Sequence, residues 1–175
     1  MSIQEEGLII KCIEGDRIAQ KKLYDTFKNQ MYTLAYRITN DFEDAEDVLQ
    51  EGFLKVFKNL YKFNNKSKLS TWIHTIIIRT AYRKIESKIN YVSLESVNNE
   101  ENLILSYPSD VEYLEQAIQG LSDGYRTIFT LYEIEGYKHQ EIAELLTISE
   151  NTSKTQLRNA KITLRNKLKT YGINE

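Results

Sequence analysis

The chain has 175 residues, of which 41% are hydrophobic and 27% charged, and its formal net charge at pH 7 is −2. This length and composition predict one or two folded globular domains, and a single proline excludes collagen-like or linker-like character. The single cysteine excludes an internal disulfide and favours the reducing cytoplasm, and we find neither a signal-peptide pattern nor the roughly 18 apolar residues that suggest a membrane span.

Charge is distributed unevenly along the chain. Residues 61–90 contain seven basic residues and one acidic residue, and residues 151–175 contain six basic and one acidic. Residues 91–125, in contrast, contain seven acidic residues and no basic one. A basic block is a candidate phosphate-binding surface, although a single block is more often a solvated helix face. Two such blocks, each within a helical pattern, favour nucleic-acid binding.

The predicted elements are helices almost throughout. Apolar residues recur every three or four positions from Leu8 to Ile38, and Asn40-Asp41 interrupts this repeat. A new helix begins after the break and continues to about Leu60. Its acids lie in the first turns and its lysines in the last, as the helix dipole favours.

The middle of the chain contains a turn, a helix and a linker. Residues 64–68 have turn composition, and Ser70 or Thr71 is suited to cap a helix over residues 72–88. Residues 90–110 lack steady periodicity, are acidic and contain the only proline. They are predicted to link two domains.

Residues 137–168 have the pattern of a helix-turn-helix motif. Thr147-Ile148 provides the turn, and Ser149 is a good N-cap for the second helix. A helix with an exposed basic start can enter the major groove of DNA, but an ordinary helical hairpin with a solvated face fits the same pattern. The polar side of the second helix contains Lys154, Thr155, Arg158 and Lys161.

The chain is therefore predicted to be all-α, with two small helical domains joined by an acidic linker. The N-terminal domain covers residues 1–89, the linker residues 90–110, and the helix-turn-helix domain residues 111–175. We find no strand alternation, internal repeat or low-complexity tract that contradicts this organisation.

Three stretches, in this order, resemble the bacterial sigma-70 family of RNA polymerase factors, in its short extracytoplasmic-function (ECF) group. They are DAEDVLQEGFLKVF (residues 44–57), STWIHTII (residues 70–77) and IAELLTISENTSKTQL (residues 142–157). The resemblance implies a cytoplasmic sigma factor that directs RNA polymerase core to specific promoters and opens the DNA for initiation. It implies no catalytic residue, no cofactor and no metal site.

The resemblance also assigns residues and partners. The implied partners are the β′ clamp helices and the β flap of core polymerase, promoter DNA and an anti-sigma factor. An acid-rich helix start is usually just a solvated surface. For this helix to be a functional site, it needs a basic partner. The positions that match the surface for the β′ clamp helices are Asp44, Asp47, Gln50 and Glu51.

Two further sets are implied to contact promoter DNA. The set for the −10 element and its opened strand comprises Tyr61, Phe63, Lys66, Lys68, Trp72, Arg79, Tyr82 and Arg83. Aromatic and cationic side chains suit unstacked bases, although the apolar neighbours of Trp72 predict that it shapes the surface rather than stacking on a base. The set for the −35 duplex comprises Lys154, Thr155, Gln156, Arg158, Asn159 and Lys161.

Four positions depart from the family's pattern. Arg79 replaces a frequent asparagine that helps hold a flipped base, so the −10 preference is expected to differ from the family's. Thr147 stands where a helix-turn-helix often has glycine, Asn151 where the family often has glycine, and Ser153 where valine is common.

Two other classes of function remain open. A stand-alone helix-turn-helix regulator would use the second basic block and leave the first unused. A metal-dependent nucleic-acid enzyme would need a convergent cation site, and neither histidine lies at a recognised metal-ligand spacing. Its candidate ligands are Asp44, Glu46, Asp47 and Glu51. Binding to core polymerase distinguishes a sigma factor from both.

Overall fold

The computed structural model describes residues 3–92 and 110–170, and every regular element within these ranges is helical. The chain divides into two compact units, Met1–Lys84 and Ile85–Glu175. The all-α prediction is confirmed. Within the described ranges, no helix combines the length and the apolar character needed to cross a membrane.

The predicted break joins the second and third helices of the first unit. Asn40 ends the earlier helix in the left-handed conformation at φ 57°, which asparagine tolerates better than most residues. Asp41 caps the next helix by accepting a 2.9 Å hydrogen bond from the backbone N–H of Asp44. In chain order the elements are α1 (Ile3–Ile13), α2 (Arg17–Thr39), α3 (Phe42–Asn59), a 3₁₀ turn (Leu60–Lys62) and α4 (Leu69–Val92).

The core of the first unit is built mainly from side chains of α2, α3 and α4, to which α1 and the 3₁₀ turn add Ile9, Cys12 and Leu60. Gly52 permits close approach of α3 and α4, because a Cβ atom there would collide with the side chain of Ile77. This contact places the basic helix α4 against the acidic helix α3. The core includes Leu23, Met31, Leu34, Ile38, Val48, Phe53, Val56, Ile73, Ile77 and Ile78.

The start of α4 differs from the prediction. The helix begins at Leu69, whose side chain is buried, so Ser70 and Thr71 lie inside its first turn. The prediction that one of them caps the helix is therefore wrong. Burial of the leucine side chain outweighs the local preference of a hydroxyl residue for the cap position.

The second unit contains the predicted helix-turn-helix. Its elements are α5 (Asp110–Gln119), α6 (Asp123–Phe129), a π-helical turn (Thr130–Ile134), α7 (His139–Leu146) and α8 (Glu150–Thr170). Helix thus covers both ends of the predicted linker, whose residues 93–109 lie outside the described ranges. Helices α5 and α6 pack on α8 around Ala117, Leu121, Ala160 and Leu164.

The turn between α7 and α8 has the predicted form. Thr147 ends α7 in the left-handed conformation at φ 59°. Ser149 Oγ accepts a 2.9 Å hydrogen bond from the backbone N–H of Thr152, so the predicted turn and N-cap are both confirmed. The π-helical turn before α7 was not predicted, because one wide turn leaves no periodic signal in the sequence.

Candidate nucleic-acid and docking interfaces

Aromatic and basic side chains occur together where the 3₁₀ turn leads into α4. Tyr61 is 64% exposed, and the Lys62 ammonium lies 5.4 Å from the centre of its ring. The half-buried rings of Phe63 and Trp72 lie in a tilted arrangement, with 5.6 Å between their centroids. This segment therefore offers aromatic surface beside cations, a combination that suits unstacked bases.

Helix α4 presents cations along one face. Arg79 lies seven residues after Trp72 and Arg83 four residues later, so all three share a face, on which both arginines are exposed. Ile77 lies on the buried side of the helix, and Tyr82 is half-buried beside the basic face. The half-buried position of Trp72 fits a residue that shapes the surface.

Much of the positive charge in this segment is not compensated by neighbouring acids. Among the residues that the structure describes, no ion-pair partner is found for Lys62, Lys66, Lys68 or Arg83. Ammonium and guanidinium groups without acidic partners attract phosphates. The segment is therefore electrostatically suited to a nucleic-acid backbone.

The start of α3 is tied to α4 by one lysine. Asp44 is 6% exposed, and its Oδ1 lies 3.6 Å from Lys84 Nζ. Asp47 is exposed, and its Oδ2 accepts a 2.8 Å hydrogen bond from the same ammonium. The hydrogen bond to Asp47 raises the pKa of Lys84 above its ordinary value. Asp44 therefore holds the two helices together, whereas Asp47 also contributes to the outer surface.

The other predicted docking residues lie on the outer surface of α3. Gln50 and Glu51 are exposed, and Glu51 forms a 2.7 Å ion pair with Lys55. Leu54, which lies one turn further along, is 70% exposed. This surface therefore combines exposed acidic and amide groups with an exposed leucine side chain.

A groove beside Gln50 extends this surface onto α2. Its volume is about 400 Å³, and it is lined by Tyr24, Lys28, Asn29, Tyr32, Glu46, Leu49 and Gln50. The Glu46 carboxylate has no ion-pair partner among the described residues. Our sequence-based site did not include the α2 residues. The sequence feature that could have identified them is the spacing of Tyr24 and Tyr32, which lie eight residues apart and therefore on one side of α2.

The outer face of α8 contains four of the six residues predicted to contact the −35 duplex. Lys154 forms a 2.7 Å ion pair with Glu150, and Lys161 a 2.7 Å ion pair with Glu133. Arg158 lies about one turn from each lysine, is exposed, and has no ion-pair partner within the described ranges. Of these three cations, the guanidinium of Arg158 is therefore the most available for binding DNA. The four exposed residues are Lys154, Thr155, Arg158 and Lys161.

The other two predicted residues of α8 are half-buried against α6. The Asn159 side-chain N–H donates a 3.3 Å hydrogen bond to the Tyr125 hydroxyl. Gln156 lies beside Gly124, where a Cβ atom would come within 3.3 Å of its Oε1. Both side chains therefore contribute to the packing of α6 on α8, which leaves them less available to DNA than Arg158.

Three acids of α3 form ion pairs with lysines. Asp44 and Asp47 contact Lys84, and Glu51 contacts Lys55. The structure, where it describes side chains, contains no cluster of three or more His, Cys, Asp or Glu residues that could hold a metal ion.

Both units match known families. Residues 23–88 match the model for sigma-70 region 2, and residues 111–164 match the model for sigma-70 region 4. The chain is 29% identical to the ECF RNA polymerase sigma factor SigW of Bacillus subtilis over 172 residues, which cover 89% of this chain and 92% of that protein. It is 26% identical to the ECF RNA polymerase sigma-E factor of Haemophilus influenzae, over a match that covers 95% of this chain and 96% of that protein.

Solved structures share this fold at low sequence identity. The sigma factor RpoE of Bartonella quintana, in complex with the anti-sigma factor NepR, matches with a TM-score of 0.63 and 20% identity, covering 85% of this chain and 96% of RpoE. CnrH, in complex with the cytosolic domain of CnrY, matches with a TM-score of 0.56 and 16% identity, covering 93% and 96%.

Proposed function

Because the chain belongs to the sigma-70 family, in its ECF group, we propose that it directs RNA polymerase core to specific promoters and opens the DNA there. The observation that carries this proposal is that two sigma-70 region models match in order, one before and one after residues 93–109. Each matched region also contains one basic surface, which a promoter-binding protein needs.

The outer surface of α3 docks on the polymerase. Asp47, Gln50 and Glu51 face outward and are the proposed contacts to the β′ clamp helices. Acidic groups at an interface increase the rate of association with a basic partner and suppress wrong partners. Asp44 has a different role, because its buried carboxylate lies beside Lys84 and positions α3.

The first basic block acts on the opened −10 element. Tyr61 supplies an exposed ring for stacking, while Lys66, Lys68 and Arg83 supply cations for the phosphates of the separated strand. Bases lose stacking interactions when the duplex opens, and stacking on aromatic side chains replaces part of that lost energy. Phe63 and Trp72 support this surface from beneath. The remaining members of the proposed −10 set are Arg79 and Tyr82.

The second unit reads the −35 element and contacts the β flap. Helix α8 enters the major groove with its exposed start, as recognition helices do. Arg158 is the central contact, since Lys154 and Lys161 must first loosen their ion pairs with Glu150 and Glu133. Thr155 faces the groove beside them, whereas Gln156 and Asn159 hold α8 on α6 and contact DNA only at the edge of the site.

The chain contributes binding energy and no catalytic step. The similar proteins reported above are sigma factors, and in this class the polymerase itself carries out RNA synthesis. We therefore propose no enzymatic activity, cofactor or metal, and a cytoplasmic location where polymerase and promoters are found. The proposed regulator is an anti-sigma factor that covers the docking surface; the similar sigma factor RpoE is in complex with the anti-sigma factor NepR.

Reconstitution with core polymerase tests the proposed function. The purified chain should co-purify with core polymerase and should convert it to an enzyme that initiates at specific sites on genomic DNA fragments. Core polymerase without the chain is the control. Tight promoter binding by the free chain at physiological salt, without any association with polymerase, would instead identify a stand-alone regulator.

A further inference from the structure

His139 connects three elements of the second unit. It is the first residue of α7, and its ring stacks on Tyr132 in the π-helical turn, with 4.4 Å between centroids and 24° between planes. Its Nδ1 lies 2.9 Å from the Oγ atom of Ser153 on α8, 14 residues further along the chain. A single half-buried side chain therefore joins the π-helical turn, α7 and α8.

Ser153 depends on this contact. Its exposed fraction is 0%, and a buried hydroxyl group needs a hydrogen-bond partner. An apolar side chain at this position would pack against α7 without requiring a directional partner. The hydrogen bond to His139, in contrast, is favourable only within narrow limits of distance and angle, so it restricts where α8 can lie.

The stacking surface for His139 is also held firmly. The backbone N–H of Glu135 donates a 2.9 Å hydrogen bond to the Thr130 carbonyl, and that of Tyr137 a 2.9 Å bond to the Leu131 carbonyl. These two bonds close the π-helical turn around Tyr132. Such turns are rare and are frequent at functional sites, which is consistent with a role in placing this ring.

The histidine contact lies directly behind the proposed DNA-contacting face. Ser153 precedes Lys154 and Thr155 in the same helical turn, and Arg158 lies about one turn further along. A helix moves largely as a rigid body, so any displacement at Ser153 shifts these side chains relative to the bases. Recognition through base edges is sensitive to such shifts, because bidentate contacts need a fixed geometry.

We propose that His139 is a positioning residue that, through Ser153, holds α8 in the orientation required for sequence-specific reading of the −35 duplex. This inference rests on the proposed function of α8. Tyr132 orients the imidazole ring, His139 orients Ser153, and Ser153 sets the placement of the groove-facing side chains. Neither His139 nor Ser153 needs to contact DNA.

The experiment measures discrimination between DNA sequences. Holoenzyme reconstituted from the full chain and core polymerase first selects duplexes from a library that is randomised upstream of the start site. The best selected duplex and its single-base variants then form the probe panel. For each protein variant, the ratio of affinities across this panel gives the discrimination, and thermal unfolding gives the stability.

Two variants break the hydrogen bond in different ways. His139→Phe keeps an aromatic ring for Tyr132 but cannot bond to Ser153, whereas Ser153→Ala removes the hydroxyl and leaves the histidine in place. Each should lower discrimination by roughly tenfold, about the effect of one lost base contact. The double variant should lose little more, because the two residues act as one unit. Gln140→Ala, at the next and exposed position of α7, is the matched control and should leave discrimination unchanged.

A conservative variant separates positioning from general stabilisation. His139→Asn offers an amide nitrogen near the place of Nδ1 and should retain most of the discrimination, although it loses the stack and some stability. If discrimination stays at the wild-type level in His139→Phe and in the milder Ser153→Ala, the inference is wrong, whatever their melting temperatures. If wild-type holoenzyme selects no upstream sequence at all, the proposed function of α8 is wrong as well.

Discussion

Lys84 Nζ lies 2.8 Å from Asp47 Oδ2 and 3.6 Å from Asp44 Oδ1, so one ammonium on α4 joins two carboxylates at the start of α3. The helix proposed to dock on polymerase is thereby connected to the helix proposed to contact opened DNA. Because the Asp47 carboxylate lies on the outer surface and also contacts Lys84, substitution of Asp47 alters both the surface and the contact between the helices.

Charge reversal on the outer face of α3 should weaken docking on core polymerase. Asp47→Arg combined with Glu51→Arg is expected to weaken binding to core polymerase by at least about tenfold, because two acids that face a basic partner become repulsive. Lys84→Met is the matched control, since it removes the ion pair between Lys84 and Asp47 without changing the acids of the outer face. It should lower the free energy of unfolding by roughly 1–2 kcal/mol, as the buried Asp44 loses its cation. An equal loss of polymerase affinity in Lys84→Met would mean that the charge reversal acts through the fold.

The two basic blocks should act at different steps of initiation. Arg158→Ala should weaken duplex binding by about 1–3 kcal/mol if the guanidinium reads a base, and should make the −35 sequence matter less. Tyr82→Ala with Arg83→Ala should spare duplex binding and impair opening, so a pre-melted bubble template should rescue this variant and not Arg158→Ala. Permanganate footprinting of thymines near the start site measures opening. Lys169→Ala, in the last turn of α8, is the control, and equal rescue of both variants would contradict the division of labour.

Tyr61 should contribute to the opened complex through its ring. Tyr61→Ala should destabilise that complex by about 1–3 kcal/mol, the usual value for one stacked base, whereas Tyr61→Phe should behave almost as wild type. The lifetime of the opened complex after a heparin challenge measures this effect. A large loss in Tyr61→Phe would instead indicate that the hydroxyl group makes the contact.

Thr147 should be a position where glycine stabilises the second unit. Its left-handed conformation at φ 59° is strained for a β-branched residue, whereas glycine adopts it without steric cost. Thr147→Gly should therefore raise the free energy of unfolding by roughly 0.5–1 kcal/mol, after allowing for the greater flexibility of glycine in the unfolded chain. Thr163→Gly, inside α8, is the matched control and should lower it, because glycine is less favourable than threonine in a helix interior. Chemical denaturation compares the two, and a loss of stability in both would exclude strain at Thr147.

The carboxyl group of Asp25 should titrate at a lower pH than an ordinary aspartate. Hydrogen bonds from Lys21 and Lys28, at 2.5 Å and 2.8 Å, lower the pKa of its carboxyl group from 3.8 to about 2. Because the folded pKa lies below the unfolded value, the associated stability is present above pH 3.8 and is lost as the pH falls toward 2. Carbon-13 NMR of the carboxyl group gives the midpoint directly. Replacing both lysines by Met should return the midpoint toward 3.8, and a midpoint of 3.8 in the wild-type chain would contradict the prediction.

The sequence by itself determined the features that depend on local preferences. Apolar periodicity placed the helices, Asn40-Asp41 ended α2, and Ser149 capped α8, because helix formation and capping involve residues only a few positions apart. The basic blocks and the three family motifs were also readable, since composition and residue order do not depend on packing. These features were sufficient for the fold class and for the family.

Tertiary structure decided which side of each helix is exposed and can contact a partner. Asp44 and Asp47 lie one turn apart on α3, yet Asp44 is buried beside Lys84, whereas Asp47 is exposed, because only the packing of α4 determines which carboxylate is covered. Likewise, the Asn159 side chain on α8 donates a hydrogen bond to the Tyr125 hydroxyl on α6 only because those two helices pack together. The contact between His139 and Ser153 spans 14 residues and two helices, and no periodicity encodes a hydrogen bond that exists only after those helices have packed.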